Sequence, residues 1–425
     1  MLKKIAKKYL PKPVKTYLIN SKKYWIDFFI RFRISLYAQK KYNWLKSLFQ
    51  DLFNEKPEKI VWLDQLEQIK VLKPRSSSYV ASPKYNGFQQ KKEIENPEIC
   101  IYKLSNARVV IESSHIILEK EVVMDRLPHV LVEECNYATG LVKAHNKELV
   151  LLCKKNRAVI YVENGLFFGG NGSWNYYHLV FEIFSKIFYL QNMDLKIKDT
   201  KIILHQSVCL NKNYKSLLDI LLTGYEYELI FVDKLKVVKV QNLYHITPPS
   251  NIVFNVKKGG SFLTDYVYFD KESVDYIRNK VLSEVKKRNL ITKDLKRVFL
   301  ARKPGSERCY NQDEVYNVLK KYDFTAVYLE DLSLLEQAKL FNELDFVIGP
   351  SGAAWTNLIY LSSGVKALSW LPSNISDFSA YSSMAHYFDC DMSFIKCEPD
   401  DGKELHTSYK LNLHVLESEI KELIL

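Results

Sequence analysis

The sequence has little glycine and proline, with 14 and 13 residues respectively in a chain of 425. This scarcity excludes a collagen-like or broadly disordered chain. There is also no run of about 18 apolar residues, so we expect no membrane-spanning helix. Charged residues interrupt the apolar stretches near the N-terminus, so we expect no secretory signal. The composition is globular, with 47% hydrophobic and 13% aromatic residues, and the length suits two domains.

Metal-binding patterns are scarce as well. The cysteines are odd in number and scattered, with no Cys-x-x-Cys or Cys/His spacing, so we expect reduced thiols in a cytosolic setting. The nine histidines show no His-Glu-x-x-His pattern, which argues against zinc. Asp389 and Asp391 form an Asp-x-Asp pattern of a kind that can hold Mg²⁺ or Mn²⁺. So short a pattern arises easily by chance, and we expect no metal site.

Positive charge is concentrated at one end of the sequence. The formal net charge is +12, and residues 1–50 carry 13 basic side chains against one acid, so the rest is neutral. A neutral main body argues against nucleic-acid binding. Residues 1–53 also place aromatic and aliphatic side chains at helical spacing, namely Trp25, Phe28, Phe29, Phe32 and Leu36. This segment predicts an amphipathic helix on an anionic membrane surface, with a helix packed on the core as the alternative.

The rest of the chain predicts an α/β fold. In the first half, β-rich stretches precede a glycine-rich turn, and strands and helices then alternate, whereas residues 73–92 predict a loop. The predicted strands are Ala107–Glu112, Ser114–Met124, His129–Val132, Leu149–Cys153, Ala158–Glu163, Lys201–His205, Glu228–Val232 and Val237–Val240, and the helices are Asn175–Asn192 and Tyr214–Thr223.

The second half repeats this alternation with short apolar strands, which is typical of a doubly wound domain. Its predicted strands are Val298–Ala301, Ala326–Leu329, Phe346–Ile348 and Ala367–Leu371, and its helices are Ser273–Lys287, Asp313–Tyr322, Ser333–Asn342, Ala353–Leu361 and Leu413–Leu425. We place the domain boundary near Lys257–Gly260. The predicted division is a basic amphipathic segment (1–55), an N-terminal α/β domain (56–258), a C-terminal Rossmann-like domain (259–400) and a C-terminal helix (401–425).

A glycine-rich loop that leads into a helix is the first candidate site. Residues 169–175 read Gly-Gly-Asn-Gly-Ser-Trp-Asn, and His178 and Glu182 then share one helix face at i and i+4. Such a helix start can bind anions, and a carboxylate beside an imidazole can act as a general base. The structural alternative is that Asn171 or Ser173 caps the helix and that His178 and Glu182 form a structural pair.

Two further motifs follow strands of the second half. Arg302 and Arg308 lie on a loop where two guanidinium groups can clamp a diphosphate. Residues 346–357 read Phe-Val-Ile-Gly-Pro-Ser-Gly-Ala-Ala-Trp-Thr-Asn, a strand, turn and helix that can hold a phosphate on backbone N–H groups. The alternatives are an ordinary solvated loop and a tight turn that needs glycine for its geometry alone.

In order and spacing these motifs resemble glycosyltransferase family 61 over about residues 165–372. The matching segments are Asn175/His178/Glu182, Arg302/Arg308/Asn311, Glu330/Ser333/Glu336/Gln337 and Gly349/Ser351/Gly352/Ala353/Thr356/Asn357. The chain departs from the family pattern at Ser351, where the family has histidine, and at Ala301, where the family has serine.

The resemblance implies a GT-B-like fold, in which two Rossmann-like domains face each other across a cleft, here with a basic helical N-terminal extension. Residues 56–258 would be the acceptor side, and 259–400 would bind the nucleotide-sugar. The implied reaction is inverting transfer of a sugar from a nucleotide-sugar donor, UDP-linked by expectation, to an acceptor hydroxyl. The resemblance implies no cofactor and no obligatory metal.

The resemblance also implies roles for individual residues. Glu182 is the first candidate for the base, and His178 either orients it or takes the proton itself. Asn171 and Asn175 would contact the acceptor or hold the loop. The donor-binding residues would be Arg302, Arg308, Asn311, Ser351, Gly352, Ala353, Asn357 and Glu336. For Glu336 the alternative is a place on an ordinary amphipathic helix.

We therefore predict a bacterial-type glycosyltransferase of capsule or surface-polysaccharide synthesis. It would act on a glycan or glycolipid acceptor, bound peripherally at the cytoplasmic face of the inner membrane through residues 1–53. One alternative is an alditol-phosphate transferase of GT-B fold. Another is a catalytically silent glycan-binding or scaffold protein of capsule assembly, which the serine at position 351 motivates.

Overall fold

The structure is a computed structural model. It describes residues 58–119, 121–124, 141–145, 148–152, 158–193, 200–251, 257–258, 261–262, 267–290, 293–304, 309–399 and 408–424. The predicted membrane-surface segment 1–53, the strand His129–Val132 and Arg308 lie outside the described residues. In the described part of the chain, no helix has the length and apolar character needed to span a membrane.

The described residues form strands and helices in alternation. The strands are β1 (Glu58–Trp62), β2 (Lys70–Lys73), β3 (Ser76–Ala81), β4 (Lys91–Asn96), β5 (Ile99–Val109), β6 (Ile116–Ile117), β7 (Glu121–Met124), β8 (Val142–His145), β9 (Leu149–Leu152), β10 (Ala158–Phe168), β11 (Lys201–His205), β12 (Glu228–Val232), β13 (Lys236–Ile246), β14 (Lys257–Lys258), β15 (Ser261–Phe262), β16 (Arg297–Leu300), β17 (Thr325–Val327), β18 (Phe346–Pro350), β19 (Lys366–Pro372), β20 (Asp391–Pro399) and β21 (Tyr409–Lys410).

The helices fall mostly where the sequence predicts them. The α-helices are α1 (Tyr176–His178), α2 (Ser207–Leu210), α3 (Lys212–Leu221), α4 (Lys271–Lys287), α5 (Gln312–Leu319), α6 (Leu334–Glu343), α7 (Ala380–Tyr387) and α8 (Leu413–Ile424). A π-helical turn (Leu179–Ile183) and a 3-10 helix (Phe184–Asn192) continue α1. Other 3-10 helices are Leu63–Gln65, Lys320–Tyr322, Leu329–Asp331, Ala353–Tyr360 and Ser373–Ile375.

The first half is built on a mixed sheet. Its eleven described strands lie in the order β12–β11–β10–β13–β5–β6–β7–β1–β9–β8, with β2 also paired to β5. The pairs among β10, β11, β12 and β13 are parallel, as is β1 with β7, and the other pairs are antiparallel. Helices connect β10 to β11 and β11 to β12, as expected for parallel strands, and the antiparallel strands extend the sheet on one side.

The three long strands β5, β10 and β13 bend at the same level. At this point one residue of each strand is left out of the pairing, while the register stays the same on both sides. In β5 that residue is Asn106, which has a positive φ of 52°. Asn242 Nδ2 donates to Asn164 Oδ1 at 3.0 Å across the bend. At Gly165 a Cβ atom would lie 2.7 Å from Ile203 Cδ1, so a larger residue there would require that side chain to move.

The bend folds the sheet back on itself. Strand β12 ends at Val232 and the parallel strand β13 begins at Lys236, only three residues later, which a flat sheet would not allow. The same bend brings the loop after β5 to the carboxyl end of β10, where the Gly170 N–H donates to the Ile111 carbonyl at 2.9 Å. The fold-back therefore places the β5–β6 loop beside the glycine-rich loop.

The second half is a doubly wound sheet, as predicted. The strand order is β17–β16–β18–β19–β20–β21, and the first five strands are mutually parallel. In chain order the parallel strands run 2-1-3-4-5, so the order reverses between β16 and β18. Helices α5 and α8 cover one face, and α6, Ala353–Tyr360 and α7 cover the other. Ligands bind such sheets at the carboxyl ends of the strands flanking this switch point.

The two halves share one apolar core. Phe181 and Leu204 of the first half belong to the same cluster of buried side chains as Trp355 and Leu358 of the second. Asn213 adds a polar link, since its Nδ2 donates to the Leu332 carbonyl and its Oδ1 accepts from the Leu334 N–H, both at 2.9 Å. The described residues thus form a mixed α/β structure in which both halves pack directly on each other.

The prediction of a loop over residues 73–92 is wrong. Strand β3 pairs with β4 as an antiparallel hairpin. Its serine-rich sequence lacks an apolar alternation, but it binds helix α7, because Ser383 Oγ accepts from the Ala81 N–H at 3.0 Å and Ser382 Oγ donates to the Ala81 carbonyl at 2.7 Å. Hydrogen bonds from a distant helix therefore stabilise this strand, and no local sequence pattern indicates such contacts.

Candidate active site

The glycine-rich loop connects β10 to helix α1. Asn175 caps the helix, since its Oδ1 accepts from the Tyr177 N–H at 3.0 Å. The loop itself is tied to the β5–β6 loop, because the Asn171 N–H donates to Ser114 Oγ at 3.1 Å and Ser173 Oγ donates to the Ile111 carbonyl at 3.2 Å. Asn171 and Asn175 thus both hold the loop, which is one of the two roles predicted for them.

His178 and Glu182 meet in the interior, as their spacing predicts. His178 Nδ1 lies 3.0 Å from Glu182 Oε1, an ion-pair distance, although the angles there do not meet those of a hydrogen bond. His178 is 8% exposed and Glu182 is 1% exposed. Glu182 lies within the π-helical turn, an irregularity frequent at functional sites. The imidazole is therefore the more exposed of these two buried groups.

Gly172 packs directly on the His178 ring. Its φ is +76°, and a Cβ atom on it would lie only 2.6 Å from His178 Cγ. Both the backbone conformation and the contact require glycine at this position. The loop therefore fixes where the imidazole can lie.

A cleft of about 450 Å³ opens at the switch point of the second sheet. The loop after β16 forms one side and the turn after β18 forms the other. Its lining is Leu300, Ala301, Arg302, Lys303, Pro304, Leu329, Glu330, Pro350, Gly352, Ala353 and Ala354. Of the predicted donor-binding residues, Arg302, Gly352 and Ala353 lie on this cleft.

Arg302 crosses the switch point. Its Nη2 donates to the Ser351 carbonyl at 2.6 Å, which ties the β16 loop to the β18 turn. Gln312 fixes the Arg302 backbone, because Oε1 accepts from its N–H at 2.7 Å and Nε2 donates to its carbonyl at 2.9 Å. The guanidinium also lies 5.9 Å from the centre of the Tyr310 ring. Burial raises the pKa of Tyr310, so this ring stays a neutral cation–π partner.

Groups that favour anions lie on one side of the cleft. The 3-10 helix Ala353–Tyr360 begins there, with Ser351 buried just before it. Backbone N–H groups at a helix start favour anions, and Arg302 adds a fixed positive charge. Lys303 pairs with Asp331 across the mouth, and this partner raises the Lys303 pKa. The arrangement suits a phosphate group.

Three predicted donor residues instead hold the scaffold. Asn311 binds the C-terminal segment, since its Oδ1 accepts from the Leu411 N–H at 2.9 Å and its Nδ2 donates to the Leu411 carbonyl at 3.1 Å. Asn357 is buried and its Nδ2 donates to Gln337 Oε1 at 3.2 Å. Glu336 closes a capping box, in which its Oε2 accepts from the Ser333 N–H at 2.7 Å.

Glu330 is a cleft residue that the sequence did not single out. It lies in the same matching segment as Glu336, but on the 3-10 turn Leu329–Asp331 that lines the cleft. The spacing alone could not separate the two carboxylates, because one faces the cleft and the other caps α6. Lys303 also lines the cleft and was not predicted as a site residue.

We predict that Glu336→Ala lowers the free energy of unfolding by about 0.5–1 kcal/mol and leaves nucleotide binding unchanged. Hydrogen bonds from Ser333 lower the Glu336 pKa, so the loss should be full above its ordinary pKa and fade as the pH falls through the lowered value. Urea unfolding at several pH values measures this. Glu330→Ala is the matched control, because it removes a carboxylate without a capping role and should leave the free energy of unfolding nearly unchanged. Weaker nucleotide binding by Glu336→Ala would contradict the cap role.

The two candidate regions lie next to each other. Helix α1, which carries His178, packs on the 3-10 helix Ala353–Tyr360, whose first residues line the cleft. Asn213 holds Leu332 and Leu334 just beyond the lining residues Leu329 and Glu330. The His178–Glu182 pair and the cleft are thus contributed by neighbouring elements of the two halves.

The Asp-x-Asp pattern is split between two partners. Asp389 Oδ2 accepts from Ser363 Oγ, and Asp391 Oδ1 accepts from Lys84 Nζ at 2.5 Å. Among the described residues, no group of three or more His, Cys, Asp or Glu side chains could hold a metal ion. The two aspartates therefore serve separate structural contacts.

A buried imidazole–carboxylate pair thus lies on an element next to a cleft whose lining favours anions. Residues 176–368 match the family model described as Glycosyltransferase 61. This match confirms, over this segment, the resemblance to glycosyltransferase family 61 seen in the sequence. The match runs from α1 into β19 and covers both His178 and the cleft. No curated protein matches the chain.

Proposed function

We propose that the chain moves a sugar, with inversion, from a nucleotide-sugar donor to a hydroxyl of a surface-polysaccharide or lipid-linked glycan acceptor. The observation that carries the proposal is Arg302 at the switch point, tied to the Ser351 carbonyl and facing a cleft of nucleotide-binding type. UDP is the proposed nucleotide. A GT-B arrangement is proposed as well, and the packing of an α/β half on either side of the site supports it.

In the proposed mechanism, different residues handle the negative charge of the leaving diphosphate and the proton of the acceptor hydroxyl. Arg302 and the helix start at Ala353 would offset the charge that develops on the leaving diphosphate. His178 would take the proton of the acceptor hydroxyl, because it is nearer the surface than Glu182. Glu182 would then stabilise the imidazolium from the interior side, 3.0 Å away. We propose that no metal is obligatory, since side-chain and backbone groups supply positive charge at the cleft.

A thermal-shift panel tests this proposal. We expect one of UDP, GDP, CDP, CMP or ADP to stabilise the protein equally with Mg²⁺ and with EDTA. At 100 times its dissociation constant the nucleotide should add about 2.7 kcal/mol. That corresponds to roughly 5–10 °C for a domain of this size. No shift with any nucleotide would contradict the proposal. It would favour a catalytically silent glycan-binding role, which the serine at position 351 in place of the family's histidine suggests.

We further propose that residues 1–53 hold the enzyme peripherally at the cytoplasmic face of the inner membrane. The basic and aromatic composition of this segment supports the proposal. Deleting residues 1–53 should move the protein from the membrane fraction to the soluble fraction. A mutant with only the basic residues of this segment replaced should shift partly; unchanged fractionation of the deletion would refute the placement.

A further inference from the structure

A second polar cluster lies at the carboxyl edge of the larger sheet, beside the glycine-rich loop. Glu112 lies on the β5–β6 loop, His205 ends β11 and Ser207 begins α2. His205 Nε2 lies 3.3 Å from Glu112 Oε1, and His205 Nδ1 lies 2.7 Å from Ser207 Oγ. The fold-back of the sheet brings these residues together from segments that are about 90 positions apart in the chain.

The protonation state of His205 follows from its partners. The Ser207 N–H donates to His205 Nδ1 at 3.0 Å, and a backbone N–H can only donate, so Nδ1 must carry a lone pair. The ring proton therefore sits on Nε2 and points at Glu112. Burial lowers the pKa of His205, with Lys234 acting in the same direction and Glu112 and Asp233 opposing. His205 is thus a neutral donor that orients the Glu112 carboxylate.

The Glu112 carboxylate keeps one oxygen for a ligand. Its contact with His205 uses Oε1, and its side chain is 22% exposed. Within the described ranges the Glu112 side chain has no other hydrogen-bond or ion-pair partner. Oε2 can therefore accept hydrogen bonds from hydroxyl groups, while His205 prevents the carboxylate from turning.

Trp174 lies beside the His205 ring with its indole partly exposed. The side chain is 47% exposed, and its ring centre lies 6.3 Å from that of His205. The loop that carries it is fixed, since Tyr214 Oη donates to the Trp174 carbonyl at 3.4 Å and Ser173 Oγ donates to the Ile111 carbonyl. About half of the indole surface is therefore open to a ligand.

We propose that Trp174, Glu112 and His205 form an acceptor subsite that binds one pyranose ring. A pyranose has an apolar C–H face, which can stack on the indole, and hydroxyls along its edge, which can donate to Glu112 Oε2. The loop leads directly into α1, which packs on the helix that begins at the cleft, so a sugar here would lie on the acceptor side of His178. The subsite rests on the proposed function for its role as acceptor site.

Saturation-transfer NMR on the full chain tests this subsite. The probes are methyl pyranosides of the gluco, galacto, manno and N-acetylglucosamine configurations, and the nucleotide thermal shift is recorded in parallel. We expect at least one pyranoside to bind, with about tenfold weaker binding for Trp174→Ala and for Glu112→Gln. Trp174→Phe should retain most of the binding, and Phe88→Ala, which removes another exposed aromatic ring on the β3–β4 turn, should change nothing.

The outcomes separate the subsite from the proposed transferase activity. The nucleotide shift should be the same in Trp174→Ala as in the unmodified chain. Pyranoside binding that survives Trp174→Ala would overturn the subsite, as would a chain that binds a nucleotide but no pyranoside. If pyranosides bind through Trp174 and no nucleotide binds, the subsite stands as a glycan-binding site and the transferase proposal falls.

Discussion

Replacing Arg302 with alanine should lower kcat/KM for the nucleotide-sugar by about 100-fold or more. The guanidinium is the only arginine side chain that lines the cleft among the described residues. Its position is fixed by the Ser351 carbonyl and the ring of Tyr310, while Gln312 holds the Arg302 backbone. The variant therefore loses a preorganised positive charge where the leaving diphosphate would lie. Steady-state kinetics with the nucleotide-sugar identified by the thermal-shift panel measure the loss.

Arg297→Ala is the matched control. Arg297 begins β16, the strand that ends just before Arg302, and its Nη1 donates to the Tyr322 carbonyl at 2.9 Å. This variant removes a guanidinium and a backbone hydrogen bond of similar kind at the opposite end of the same strand. Its kcat/KM should stay close to that of the unmodified chain. Equal losses in both variants would show that Arg302 acts through stability alone.

Replacing Gly172 with alanine should lower kcat by about 10- to 100-fold, because a misplacement of about 1 Å can cost this much. The new methyl group would overlap the His178 ring, so the imidazole or the loop must move. His178 is buried and cannot swing freely into solvent. The left-handed backbone of this position adds about 1–2 kcal/mol of destabilisation. Kinetics together with urea unfolding separate the two effects.

Gly87→Ala provides the comparison. Gly87 has the same φ of +76° as Gly172, but a Cβ atom there would meet nothing within 4 Å. It therefore carries the backbone penalty without the steric overlap. We expect a similar destabilisation from the backbone and unchanged kcat. If Gly172→Ala retains full kcat, the position of His178 does not matter for the reaction, and the proposed base would be wrong.

Much of the parallel architecture could be predicted from the sequence. Strands Lys201–His205 and Glu228–Val232 have the predicted bounds, and the alternation from β16 to β19 was predicted within one to three residues at most ends. These elements are short apolar runs separated by amphipathic helices, so their signal is local. The antiparallel part was less predictable, because β3 is serine-rich and binds a helix some 300 positions away.

The candidate site was predictable only as a set of segments. The sequence indicated the glycine-rich loop, the Arg302 loop and the turn at 349–353, because glycine and arginine after a strand are informative by themselves. It could not decide which polar residues face the cleft. Asn311 binds a segment 100 positions away, and Asn357 binds Gln337 inside the core, so both depend on packing between distant elements.

The order of strand, glycine turn and helix on which the proposed phosphate-binding geometry depends can be predicted from the local sequence, because turns and helix starts are set by neighbouring residues. Packing between distant segments is what makes Glu330 face the cleft while Glu336 caps α6. It also places His205 between its two contacts, Glu112 and Trp174. Those contacts arise where the bent sheet folds back and where the two halves pack. Side-chain direction at such places is fixed by long-range burial, which leaves no local pattern.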